Sequence, residues 1–196
     1  MSEEIVVAGA RLYLRTLAET DIGDEYFSWI KDPEVHEYLE VQTHNLTKGS
    51  LYEYLKGFDN KSTNFAFAIM LREGSQSNAK HIGNITPRVN SNNAFGIIGT
   101  LISPRYQGAG LGTEARSLIC QFGFERQGLA KIVSGAAAAN IASIQSNKRL
   151  GFVLEGHFEE HLLVNGERVD SVQLGLLKRH FTPFIPSLRP GNTSGG

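Results

Sequence analysis

Between Arg11 and Leu17 the apolar residues Leu12, Leu14 and Leu17 nearly alternate with polar ones, which predicts a strand with one buried face. Thr20 or Asp21 can cap a helix running to Ile30, and Asp32-Pro33 supplies the N-cap and first residue of another. Trp29, Val35, Tyr38 and Leu39 suit the apolar face of these helices. Thr47 opens a third helix that Gly57 ends. Phe65, Phe67, Ile69 and Leu71 then alternate with mostly small residues, again the period of a strand. After a polar turn from Arg72 to Asn78, a strand from about Lys80 to Val89 carries Gly83 and Pro87, which point to a bend or a sheet edge. Ala94 to Ile102 completes an antiparallel meander. Beyond it the period changes: Ala115, Leu118, Ile119 and Phe122 stand at i, i+3, i+4 and i+7, one stripe of a helix that Gly128 can end. Ala130 to Ser134 reads as a short strand and Asn140 begins a short helix. Phe152 to Val164 and Arg168 to Leu177 are long strands joined across Asn165-Gly166, a dipeptide that tolerates the positive φ of a tight hairpin.

Composition narrows the class. A chain of 196 residues with 41% hydrophobic positions can bury one sizeable core. Its 19 basic and 20 acidic residues leave it without the positive balance of a general nucleic-acid binder. The single cysteine, Cys120, precludes an internal disulfide and fits a reducing compartment; in a helix it is expected as a small buried residue. With no apolar run near the roughly 18 residues of a membrane helix and an acidic start, a cytoplasmic protein that engages neither membrane nor nucleic acid is expected. Residues 182–196 hold three prolines and three glycines and are expected to form a flexible tail to a single domain spanning 1–181.

The candidate chemistry lies between the meander and the amphipathic helix. Gly108, Gly110 and Gly112 open that helix, where bare N–H groups and the positive dipole end can hold an anion. A Walker A loop would end in Gly-Lys-Ser/Thr, but Gly112 is followed by Thr113 and Glu114. A Rossmann fingerprint would read G-x-G-x-x-G with an acid about 20 residues on, and neither is present. Gln107, Gly110 and Gly112 instead fit Q/R-x-x-G-x-G/A, and Asn140, Ser143, Lys148, Gly151 and Phe152 fit N-x-x-S-x-x-x-x-K-x-x-G-F. With GARLYLRTLAETD and DPEV near the N-terminus, the chain resembles the GNAT acetyl-CoA-dependent N-acetyltransferases, in the branch of the RimJ and RimL enzymes, over residues 9 to 181.

The resemblance implies an α/β (α+β) GNAT fold: one mixed, mostly antiparallel sheet of about seven strands flanked by helices, with a splayed parallel pair at the acetyl-CoA site. It implies acetyl-CoA as co-substrate, held by Leu101, Ile102, Ser103, Gln107, Gly108, Ala109, Gly110, Leu111, Gly112, Thr113, Asn140, Ser143 and Asn147. No metal is expected. The bland readings stand beside these: Gln107 as a solvated loop residue, Asn140 as an N-cap, and Ser143 as a helix cap. The sequence departs from the family at two places. Asn147 stands where a tyrosine acid is common, so it receives a positioning role, and Phe95 to Leu101 lacks the usual carboxylate base. The general base is left unassigned among Asp32, Glu37, Tyr38, His81, His157, His161 and Asp170. The expected activity is acetyl transfer to a primary amine by direct attack in a ternary complex. A small amine such as an amino sugar nucleotide ranks ahead of a protein N-terminus, and a catalytically silent acyl-CoA-binding regulatory module is the rival. A homodimer is compatible with either.

Overall fold

The computed structural model describes residues 4–32, 35, 47–73 and 75–186, with backbone alone for 75–77. In chain order the strands and helices are β1 Ile5–Ala8, β2 Leu12–Thr16, α1 Asp24–Lys31, α2 Lys48–Lys56, β3 Phe67–Glu73, β4 Ser75–Asn90, β5 Phe95–Ile102, α3 Leu111–Glu125, β6 Lys131–Ala137, α4 Ile141–Lys148, β7 Val153–Val164 and β8 Glu167–Leu177. The strands form one sheet in the order β1-β2-β3-β4-β5-β6-β8-β7. Among the described residues only β5 and β6 pair in parallel. This is the mixed, mostly antiparallel α/β sheet that the resemblance implies, with eight strands instead of about seven.

Alternation along the strands builds two layers. Leu12, Leu14, Phe67 and Ile69 turn to the face covered by α3, whose Ala115, Leu118, Ile119 and Phe122 join them in the main core. Tyr13, Ala66, Ala68 and Met70 turn to the opposite face, against Leu55 and Phe58. There Tyr26, Trp29 and Ile30 of α1 pack with Leu51 of α2. Leu12, Leu14 and Ile69 are wholly buried, each worth about 1.5–3 kcal/mol in removed apolar surface.

Several local expectations change. β1 is an added edge strand, joined to β2 by a tight turn in which Gly9 N–H donates to Leu12 O at 2.8 Å. Neither Thr20 nor Asp21 caps α1: Asp21 is taken by Arg15, and Gly23 stands at the N-cap. The turn expected over Arg72–Asn78 contracts, because β3 runs to Glu73 and β4 starts at Ser75. Gly83 does mark a register shift, and a Cβ there would lie 2.2 Å from Leu101 O. Pro87, by contrast, lies in a central strand. Its carbonyl accepts from Phe65 N at 3.0 Å, before β3 begins, so the missing N–H interrupts no ladder.

Thr47 caps α2 through Ser50 N, as expected, and Asn165 and Gly166 both adopt positive φ in the β7–β8 turn. Residues 182–186 remain tied to the domain, since Phe184 N donates to Ser117 Oγ at 2.9 Å. The rest of the expected tail, with Pro33, Glu37, Tyr38 and Leu39, lies outside the described residues.

Candidate functional site

The parallel pair β5–β6 holds together only at its start. The last paired residues are Ile97 and Val133, yet β5 continues to Ile102 and β6 to Ala137. From there the strands part, and a cleft of about 1300 Å³ opens between them, roofed by α4 and closed at one end by the glycine loop. Two facing edges of the sheet thus keep backbone groups that no strand neighbour uses.

Leu101, Ile102, Gln107, Gly108, Gly110, Gly112, Thr113, Asn140 and Ser143 line this cleft, nine of the residues anticipated from sequence. Gly108 and Gly110 need their glycine, having φ of +78 and +73, whereas Gly112 lies in ordinary helix. Gly110 is the N-cap of α3 and no side chain caps that helix, so its first-turn N–H groups remain open toward the cleft. Asn140 caps α4 by accepting from Ser143 N at 2.9 Å. Ser143 therefore does not cap. Gln107 Nε2 donates to Ile102 O at 3.1 Å and holds the loop to the end of β5.

Four anticipated residues contribute no cleft surface. Ser103 is buried with its N–H given to Ile82 O, and Leu111 enters the core. Ala109 presents its carbonyl to Arg11 Nη1 at 2.9 Å. Asn147 is fully buried behind the wall, where its Nδ2 donates to Ser134 Oγ at 3.1 Å. It is Ser134, on β6 immediately after the last β5 pairing, that faces the cleft.

The charged groups were less legible. Arg116, one turn below the glycine loop, is 9% exposed and lines the cleft. Its Nη1 donates to Ser146 Oγ at 2.9 Å and Nη2 to Ser143 Oγ at 3.1 Å, while Nε has no partner. Among the described residues no carboxylate faces it. Burial pulls its pKa down to about 10, with Cys120 acting weakly the other way, so the guanidinium stays charged at neutral pH. Its only sequence signal is an arginine in an otherwise apolar helix stripe. A second arginine braces the loop from behind: Arg11 Nε pairs with buried Glu114 at 2.7 Å, and Glu114 Oε1 accepts from the backbone N–H of Arg11.

Among the described candidates for a base, only His161 reaches the cleft. His81 packs against Trp29 with a ring separation of 5.1 Å, and its Nε2 lies 3.0 Å from Gly83 O, which fixes the proton there. Burial lowers its pKa despite the Asn84 hydrogen bond. His157 pairs with Asp170 on the exposed hairpin, away from the cleft. Among the described residues no group of three His, Cys, Asp or Glu side chains could hold a metal, and no helix is long and apolar enough to cross a membrane.

Comparison with known proteins places this geometry. A family model described as acetyltransferase (GNAT) domain matches residues 11–153. Spermidine N(1)-acetyltransferase of Escherichia coli K12 is 32% identical over 95 residues, 46% of this chain and 51% of that protein. The chain thus spans about half the length of the curated relatives it matches. Spermidine N-acetyltransferase of Vibrio cholerae, solved with CoA and spermine, superposes with a TM-score of 0.76 at 21% identity, covering 88% of this chain and 98% of that one. The ribosomal L7/L12 alpha-N-protein acetyltransferase RimL, solved with CoA, gives 0.77 at 17% identity, with 89% and 98% covered. Both likenesses are of fold.

Proposed function

The chain belongs to the GNAT acetyltransferase family, and on that footing we propose that it transfers the acetyl group of acetyl-CoA to a primary amine by direct attack in a ternary complex. The observation that carries the reading is the parted β5–β6 seam, ending at an uncapped helix N-terminus above a buried arginine that no carboxylate of the described residues neutralises. The seam offers unused backbone donors and acceptors to an amide-bearing arm such as pantetheine. The glycine loop and Arg116 suit the diphosphate at its end. Leu101, Ile102, Gln107, Gly108, Gly110, Gly112, Thr113, Asn140 and Ser143 are the cofactor contacts of this arrangement, and Ser103, Ala109 and Leu111 shape the loop from behind.

Ser134 meets the thioester. Its Oγ already accepts from Asn147 Nδ2, and its own hydrogen has no acceptor among the described residues. In the transfer the amine nitrogen attacks the carbonyl carbon, the C–S bond breaks and its electron pair goes to sulfur, to which Ser134 Oγ–H donates a hydrogen bond. Asn147 acts through Ser134 and is a positioning residue. His161 takes the ammonium proton, directly or through a water.

The acceptor class we favour is a small amine, with an amino sugar nucleotide as the type. The relatives named for spermidine and for a ribosomal-protein N-terminus both modify amines, which supports the nucleophile without naming this chain's substrate. Thermal shift with CoA, NAD and ATP, joined to a thiol-release assay, tests the reading. CoA alone should stabilise the protein, by about 2.7 kcal/mol at 100 times its dissociation constant. Ser134→Ala should keep that shift and lose about tenfold to a hundredfold in turnover, the worth of one hydrogen bond to a charged leaving group. A flat response to CoA would sink the donor assignment, and saturable CoA binding without turnover of any amine would favour the silent acyl-CoA-binding module.

A further inference from the structure

Arg88 stands on the wall of the same cleft, on the face of the sheet that α1 and α2 cover. Residues opposite each other in an antiparallel pair share a face, and Asn84, Thr86 and Arg88 oppose Leu101, Gly99 and Ile97. The first two have local neighbours: Asn84 Oδ1 accepts from His81 Nε2, although its Nδ2 is left without a partner, and Thr86 lies beside Tyr54. Arg88, next in the row, is exposed and forms no ion pair or side-chain hydrogen bond among the described residues. Beside it Ile97 and Tyr54 are 47% and 43% exposed, an apolar bed next to a bare cation.

The cleft as a whole has the same bias. Its described lining holds Arg88, Arg116 and Arg149 and no aspartate or glutamate, in a chain whose acidic residues outnumber its basic ones by 20 to 19. Some exposed lysines elsewhere do have a carboxylate partner: Lys48 pairs with Asp24, Lys80 with Glu73 and Lys131 with Glu155. Arg88 is also remote from the glycine loop. Leu101 to Ile97 spans roughly 13 Å of strand at about 3.3 Å per residue, which puts Arg88 beyond the acetyl group instead of beside the cofactor's phosphates.

We propose that Arg88 binds an anionic group of the acceptor, a phosphate or a carboxylate held apart from the reacting amine, so that the site takes negatively charged amines and disfavours polyamines. This rests on the transferase reading above. Glucosamine, glucosamine 1-phosphate, muramic acid and spermidine, assayed with acetyl-CoA, separate the alternatives: the second and third add a phosphate and a carboxylate to the same amine. The wild type should prefer one of these two over glucosamine by at least about tenfold in kcat/KM, from a charge-assisted contact. Arg88→Gln should bring that preference to within about twofold, and Arg88→Glu should shift it toward spermidine, with CoA affinity unchanged in both. A preference that survives Arg88→Gln, or a wild type that favours spermidine, overturns the proposal. Calorimetry of glucosamine 1-phosphate and muramic acid on CoA-saturated protein supplies a readout free of turnover. Binding lost in Arg88→Gln upholds the anion subsite even if no amine is acetylated, a result that would remove the transferase reading alone. Absence of such binding in the wild type overturns the subsite.

Discussion

Single residues show how differently a buried charge behaves depending on its partner. Among the described residues Arg116 has two serine hydroxyls and no counter-ion, so Arg116→Met should leave the melting temperature unchanged or raise it, as replacing buried charges by packed apolar groups often does. CoA affinity should move the other way. The loss of a charge-assisted contact worth about 1.5–3 kcal/mol weakens binding about tenfold to a hundredfold, and a variant that lost both stability and affinity would make Arg116 structural. Asp21 is the contrasting case. Burial alone would raise its pKa, but the Arg15 fork, with both contacts at 2.7 Å, and the Ala18 N–H hold it below the usual carboxylate value of 3.8. A carboxylate with a depressed folded-state pKa stabilises the fold above its unfolded pKa and loses that contribution as pH falls through the folded one. Asp21→Asn should therefore cost about 2 kcal/mol at pH 7, below the figure for a wholly enclosed pair, and the gap to wild type in urea melts should begin to narrow below about pH 4 and go on narrowing as the pH falls further. A gap of the same size at pH 3 as at pH 7 would contradict the assignment. Neither residue's environment was visible in the chain, because pattern supplies periodicity while burial against a distant element is a property of the fold.

At the scale of elements, legibility follows how local the determinant is. The Thr47 cap, the Asn165-Gly166 turn and the α3 stripe need only neighbouring residues, and each appears as expected. Ile5–Ala8 was missed because a four-residue apolar run has no alternation, and its pairing with β2 shows a register shift after Ile5. The N-cap of α1 was missed because Asp21 had a better use 6 residues back, in Arg15. The start of α3 joins both kinds of determinant: the glycines were legible, and the brace from Arg11 and Glu114 was not. Gly110→Val places a β-branched side chain at φ +73, where its Cβ would sit 3.5 Å from Phe184 and beside the open N–H groups. The strain is of order 1–3 kcal/mol, so the variant should remain folded by circular dichroism. CoA binding should fall below detection in the same preparation, and normal CoA binding by a folded variant would move the diphosphate site elsewhere.

For the whole molecule, the donor was easier to infer than the acceptor. The proposed donor contacts cluster in two short motifs, whereas the proposed acceptor side draws on β4, α2 and the bulged β7, which only the folded chain brings to one cleft. The parting of β5 from β6 has a dynamic consequence as well. Through the sheet, β1–β5 are joined to β6–β8 by just the residue pairs from Phe95–Lys131 to Ile97–Val133, and α3 leans on both sides. Such a seam divides a domain into two regions that can open separately, each with its own local free energy. Amide exchange in the free protein should therefore run faster from Ile98 to Ile102 than in the securely paired β3, and the two halves of the sheet should show distinct protection plateaus. Bound CoA would act as a missing ninth strand, slowing exchange along that seam and drawing the plateaus together. Equal protection of both halves without CoA would mean that α3 alone makes them one cooperative unit.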